Sequence, residues 1–206
     1  MKIVTISREF GSGGRELGKR LADELGFAYY DKEIISKIAE NLKMDEHYIE
    51  KVLDRGFTVN YPYTFRHSLT VHVYAQNQTA AIMVEQHKII RLLAEKEDAV
   101  MVGGNADIVL SRMHPYRIFV YAGKESKLER CRQRAASDEK MCEYEMERRM
   151  KMIDKARSAS HDVLSGHRWG DKRAYELCMN TTNAEISEMV PPLAMLAKQY
   201  FEKRQK

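Results

Sequence analysis

The chain has 206 residues, enough for one well-buried core and cramped for two. Hydrophobic residues make up 44% and charged residues 31%, an ordinary balance for a globular protein, and no apolar run is long enough to span a bilayer. Its 34 basic and 30 acidic side chains leave a formal net charge of +4, a mixed surface that argues little for nucleic acid as a partner.

Lys2–Ile6 reads as a first strand, apolar and rich in β-branched residues. The stretch is too short for a secretion-signal core and lacks a small-residue cleavage site, so the protein is expected in the cytosol. A glycine-rich loop follows, then a helix marked by Leu17, Leu21 and Leu25 at four-residue spacing and stopped by Gly26. Ala28–Tyr30 is the second expected strand. From Asp54 to Tyr74 the chain carries Phe57, Tyr61, Pro62, Tyr63, Phe65 and Tyr74, and reads as an insertion of loops and short helices. Its rings either pack the insertion down or stack a base.

Ile82, Ile89, Ile90 and Leu93 mark a helix before the third strand, Ala99–Val102, and Arg117–Tyr121 reads as the fourth. Ser137 to Gly166 is a highly charged helical region, followed by a fifth strand at Glu176–Met179. Thr182-Asn183-Ala184-Glu185 matches a capping box and predicts the start of the last helix. No repeat, low-complexity tract or linker divides the chain. A single domain over residues 1–206 is therefore expected, with the insertion at about 45–75 and a lid at about 137–168. Apolar strands alternating with helices predict an α/β fold with a five-stranded parallel sheet covered on both faces.

Cys131, Cys142 and Cys178 are widely spaced and odd in number, with no metal-ligand spacing, and read as small packing residues. The seven histidines show no metal or nucleophile-partner spacing and read as structural or surface residues. Trp169 and Asp171 read first as packing residues and second as a device ordering the lid's return to the last strand.

The strongest functional signal is the run Ser7-Arg8-Glu9-Phe10-Gly11-Ser12-Gly13-Gly14-Arg15-Glu16 between the first strand and the first helix. Glycines let successive backbone N–H groups converge, and the helix start adds free N–H groups and the positive end of its dipole. Together these make an anion site, with Arg8 and Arg15 able to add charge on either side. The loop is not a regular phosphate loop. With Gly13 as the last loop glycine, Gly14 takes the lysine position and Arg8 that of the first glycine. With Gly14 as the last glycine, Arg15 takes the lysine position and Glu16 that of the magnesium-binding Ser/Thr.

This run, with Tyr29-Tyr30-Asp31-Lys32-Glu33, Asp154-Lys155-Ala156-Arg157, Trp169-Gly170-Asp171 and Tyr175-Glu176-Leu177-Cys178, resembles the cytidylate kinase-like proteins, a divergent branch of the P-loop nucleoside monophosphate kinases. The resemblance runs through most of the chain. It implies a P-loop NTPase-like three-layer α/β/α fold, an ATP donor with Mg2+, an acceptor-binding insertion and an arginine-bearing helical lid. Gly11, Ser12, Gly13, Gly14 and Arg15 match the donor-phosphate position, flanked by Arg8 and Glu16. Tyr30-Asp31 matches the end of the second strand, where cytidylate kinases begin acceptor recognition. Lys37 falls near the place of their phosphate-holding arginine. Gly104, in Gly103-Gly104-Asn105, stands where a Gly-Arg pair usually appears and removes a cationic acceptor contact.

Phosphoryl transfer needs several cations to converge on the transferred group. Arg130 and Arg134 lie one helical turn apart, with Lys127 and Arg132 nearby. Arg148, Lys151 and Lys155 would share one helix face, where like charges cost about 0.2–0.5 kcal/mol per pair. Glu143, Glu145 and Glu147 are close enough to make that face merely solvated. Asp31 directly precedes a helix, so it reads both as an N-cap and as an acceptor contact. The leading reading is an ATP-dependent phosphotransferase of the nucleoside monophosphate kinase type. In it Arg15 and the Gly11–Gly14 backbone hold the donor, Asp31 and Lys37 place the acceptor, and Arg130, Arg134, Lys155 and Arg157 close over the phosphoryl group. The alternative is a nucleotide-binding regulatory protein that kept the kinase fold without its activity. A nucleic-acid binder using the basic lid ranks last.

Overall fold

Val, Ile, Met and Tyr fill the strand segments, and in β1, β3 and β4 most of their side chains are buried. β1 (Ile3–Arg8), β2 (Ala28–Tyr30), β3 (Ala99–Val102), β4 (Tyr116–Tyr121) and β5 (Leu177–Asn180) run in the order β2-β3-β1-β4-β5. Every neighbouring pair is parallel, and central Ile6 is in register with Val102 on one side and Ile118 on the other. The structure, a computed structural model, describes residues 1–55, 69–134 and 142–204, and their side chains apart from those of residues 54–77.

The connecting helices are α1 (Gly14–Leu25), α2 (Lys32–Leu42), α3 (Glu46–Arg55), α4 (Leu69–Lys96), α5 (Ala106–Val109), α6 (Lys124–Arg134), α7 (Glu143–Leu164) and α8 (Ile186–Arg204). Alternation along β1 sends successive side chains to opposite faces. Val4 and Ile6, with Val102, Ile118 and Val120, pack on Leu17 and Leu21 of α1 and on Val190, Leu193 and Ala197 of α8. Ile3, with Ala99 and Met101, packs the other way, on Ile34 and Ile38 of α2 and on Ile82, Ile90 and Leu93 of α4. The result is the three-layer α/β/α fold with a five-stranded parallel sheet that the alternation of strands and helices predicts.

Four local expectations are corrected. β1 continues past Ile6, because Ser7 and Arg8 still pair with Phe119 and Val120 of β4. The last helix opens at Ile186 and not at Thr182. Asn183 takes a left-handed φ of 53°. The Thr182 hydroxyl donates to Asn180 Oδ1 at 2.6 Å and accepts from the Gly123 N–H at 2.7 Å. That hydroxyl therefore joins the end of β5 to the start of α6. The stretch from Leu69 onward, expected as loops and short helices, belongs to the long helix α4. Cys142 is exposed at the start of α7, whereas Cys131 and Cys178 are half-buried against apolar neighbours. Phe57, Tyr61, Pro62, Tyr63 and Phe65, and the Tyr74 side chain, lie outside the described residues.

Among the described residues, no helix is long and apolar enough to cross a membrane. Trp169 packs edge-on against Phe119, ring centroids 5.2 Å apart, as its packing reading requires. Gly18, in the middle of α1, sets how closely that helix approaches the sheet. A Cβ there would sit 2.6 Å from Val102 Cγ2 and 3.1 Å from Ile6 Cδ1. At an exposed helical site Gly→Ala stabilises by roughly 0.5–1 kcal/mol. At this site overpacking reverses the sign, and Gly18→Ala is expected to lower the unfolding free energy by about 1–3 kcal/mol. A reduced urea midpoint with an unchanged m-value would show it.

Candidate functional site

The glycine loop leaves β1 and enters α1 through Gly13, whose φ of 83° is a left-handed value that glycine adopts without strain. Gly13 is thus the last loop residue and Gly14 the first helical one, which puts Gly14 in the lysine position of a regular phosphate loop. The loop is tied down from outside. Phe10 N–H donates to Asp154 Oδ1 of α7 at 2.6 Å, and Thr181 Oγ1 donates to the Ser12 carbonyl at 2.7 Å. The Ser12 side chain is buried, its hydroxyl donating to the Glu9 carbonyl at 2.8 Å. Among the described residues, the N–H groups of Gly11, Gly13, Gly14, Arg15 and Glu16 have no acceptor. Several belong to the first turn of α1, where the helix dipole favours negative charge.

Gly11, Gly13, Gly14 and Arg15 line a cavity of about 430 Å³ beyond the carboxyl ends of the strands. Its floor holds Asp31, which is 9% exposed at the end of β2. Asp31 precedes α2 but makes no cap hydrogen bond through its side chain. Its carboxylate instead pairs with the Arg15 guanidinium, and with Arg8 Nη2 at 3.7 Å. Of the two roles the sequence offers Asp31, the capping one is absent, and its side chain lines the cavity. Arg15, placed at the donor phosphates by sequence, is turned across the floor toward Asp31.

The roof comes from α6 and α7. Arg130 donates to the Thr181 and Ala184 carbonyls, which fixes it beside Gly13. Arg134 donates to Glu16 Oε2 at 2.7 Å, and Arg157 donates to the Arg8 carbonyl at 3.1 Å while lying over the Phe10 ring. Burial first, then the neighbouring Arg134 charge, lowers the pKa of Arg130. An anion bound between the two guanidiniums would relieve both penalties. Lys127, nearly buried, reaches Glu9 at 3.0 Å and Asp154 at 3.3 Å. Burial raises the pKa of Asp154, against the opposing pull of the Phe10 N–H and Lys127.

The structure brings Arg8, Gly11, Gly13, Gly14, Arg15, Asp31, Arg130, Arg134 and Arg157 to one cavity wall. It leaves out four of the candidates, Ser12, Glu16, Lys37 and Lys155. Lys37 is exposed on α2 and Lys155 is exposed on α7, and neither lines the cavity. Lys155 faces outward because the buried stripe of α7 runs through Met146, Met150, Ile153, Ala156 and Ser160. Lys151 shares its solvated side and pairs with Glu147 at 3.7 Å. Glu16 is held between Arg20 and Arg134. Sequence reasoning missed Arg149, which lines the cavity with no partner among the described residues. It lies on the flank of the apolar stripe, about two turns before Arg157, and tracing that stripe first would have found it. Also missed was the structural role of Asp154, a single carboxylate joining loop and lid. Among the described residues no three His, Cys, Asp or Glu side chains cluster to hold a metal.

The sequence matches the model of the cytidylate kinase-like family over residues 3–183. The chain belongs to that family. In fold it is similar to the crystal structure of an uncharacterized protein from Eubacterium ventriosum ATCC 27560, at 24% identity over 96% of this chain and 99% of the other, with a TM-score of 0.68. The shikimate kinase from Bacteroides thetaiotaomicron is 14% identical over 96% and 98% of the two chains, with a TM-score of 0.57. The shikimate kinase from Acinetobacter baumannii, in complex with shikimate, is 11% identical over 97% and 94%, with a TM-score of 0.55. At such identities the likeness carries the fold alone. No curated protein matches the chain.

The tie between loop and lid can be tested directly. Asp154→Ala removes the acceptor of the Phe10 N–H and one of two carboxylates on Lys127. It is expected to cost about 1–3 kcal/mol in chemical unfolding. Asp154→Asn keeps an acceptor for Phe10 and should cost less; equal losses would show that the Phe10 bond contributes nothing.

Proposed function

We propose that this family member is a phosphotransferase that moves the terminal phosphoryl group of ATP to a nucleoside monophosphate or a similarly small phosphate acceptor. The observation that carries this reading is the set of unpaired N–H groups of Gly11, Gly13, Gly14 and Arg15 at a cavity walled by guanidiniums. Backbone donors at a helix start hold phosphate oxygens without needing a side chain. Arg130, Arg134, Arg149 and Arg157 surround the same space and would neutralise charge on the group in transfer. Magnesium would enter on the nucleotide's own phosphates, since Asp31 and Glu16 already face guanidiniums. An acceptor phosphate is itself a nucleophile, so a general base is unnecessary.

One observation favours a second acceptor class. Asp31 is a buried carboxylate on the cavity floor, and a carboxylate there can take the proton of an attacking hydroxyl. Two structures of similar fold are shikimate kinases, whose acceptor carries hydroxyl groups. A hydroxy acid acceptor is therefore the second reading.

The test is ADP release from ATP and magnesium against a panel of nucleoside monophosphates and polyhydroxy acids, shikimate included. Release that depends on one acceptor names the substrate. Tight ATP binding without release across the panel would mean a nucleotide-binding protein that lost activity. Arg149→Ala is the cleanest variant, because it removes a cavity charge that holds nothing else among the described residues. It is expected to lower turnover about tenfold or more at an unchanged Tm. Unaltered turnover would take Arg149 out of the phosphoryl site.

A further inference from the structure

Gly14 replaces the lysine that a regular phosphate loop uses to reach the β- and γ-phosphates. Arg8 replaces the first glycine of such a loop, and the two departures meet in space. A Cβ on Gly14 would sit 2.7 Å from Arg8 Cβ and 3.1 Å from Arg8 Cγ. The stem of Arg8 thus occupies the volume into which a side chain at position 14 would grow. At its far end the guanidinium lies against Gly103, where a Cβ would fall 1.8 Å from Nη1. Gly103 has a φ of 79°, so that site suits glycine in backbone and in space alike. Two glycines, from α1 and from the end of β3, make the channel for one arginine.

We propose that Arg8 supplies the fixed phosphate-binding charge that a regular loop takes from its lysine, delivered from the strand side of the loop. The inference rests on the reading of the cavity as an ATP site. Arg8 lines that cavity and is held from several directions. Its backbone pairs with Val120, its carbonyl accepts from Arg157, and its guanidinium faces Asp31 at 3.7 Å. Its side chain is only 15% exposed, against 51% for Arg15, so its position changes little when a ligand arrives. A preorganised charge of this kind needs no reorganisation at the moment of transfer. A guanidinium also offers a planar fork of donors to phosphate oxygens, where an ammonium offers a point charge.

The experiment is ATP titration calorimetry with thermal unfolding on four proteins: unaltered, Arg8→Met, Arg8→Gly, and Arg8→Gly with Gly14→Lys. Arg8→Met keeps a stem in the channel and leaves Asp31 paired with Arg15. It is expected to weaken ATP about ten- to hundredfold while retaining most of the Tm. The double variant restores the regular order of glycine and lysine, and it should recover most of the affinity lost in Arg8→Gly. ATP affinity unchanged in Arg8→Met would overturn the inference. So would a folded double variant that binds no better than Arg8→Gly, and this arm decides the matter if Arg8→Met does not fold. Failure of the unaltered protein to bind ATP is a separate outcome, which removes the ATP reading and this inference with it.

Discussion

The site depends on a loop pinned to the rest of the protein by hydrogen bonds at three of its residues. Asp154 takes the Phe10 N–H, Thr181 donates to the Ser12 carbonyl, and Arg157 donates to the Arg8 carbonyl. The N–H groups of Gly13, Gly14 and Arg15 are then left without acceptors at the cavity. A loop that satisfied those donors internally would be more stable alone and useless to an anion. The cost of leaving them free is offset by packing α1 through Leu17, Leu21 and Gly18 onto the sheet.

The same anchoring makes loop and lid one mechanical unit. Asp154 and Arg157 are a single turn apart on α7 and grip the loop at Phe10 and Arg8. Lys127 of α6 stands between Asp154 and Glu9, so both roof helices bear on one loop segment. At its far end α7 is held by buried His161, whose imidazole lies 3.2 Å from the Asp107 carboxylate of α5. A helix fixed at two points presents Arg149 and Arg157 to the cavity with little freedom. For a reaction that needs positioned positive charge, this rigidity is the useful property.

The fold was legible in the sequence because each strand is a short apolar run and each helix keeps its period. The strand boundaries missed by a residue or two for a physical reason: Ser7 and Arg8 are polar yet still paired in the ladder. The loop was legible from its glycines, but not which register it adopts, since that turns on the left-handed conformation of Gly13. Which charges face inward was the least legible feature. Arg149 and Lys155 are equally basic on paper, and only the apolar stripe of α7 separates the one that lines the cavity from the one in solvent. Thr182 misled for a similar reason. Its hydroxyl has a partner close in space and remote in sequence, at Gly123, and that partner wins over the cap.

The two arginines on Asp31 differ in the one respect that matters to a ligand. Arg8 is threaded between glycines and cannot leave, whereas Arg15 is half in solvent and meets Asp31 from the open side. An incoming phosphate can draw Arg15 away from Asp31, because the carboxylate keeps Arg8 as a partner when Arg15 moves. The exchange never strands a buried charge, which is the step that usually makes such rearrangements costly. In the proposed function Asp31 would hold Arg15 near the site until an anion competes for it, and the floor would serve an acceptor bearing a phosphate or one bearing a hydroxyl. Family membership does not choose between them. The choice lies with whatever fills the wall formed by Glu50, Gln86 and Asn105, where the described side chains offer hydrogen bonds rather than positive charge.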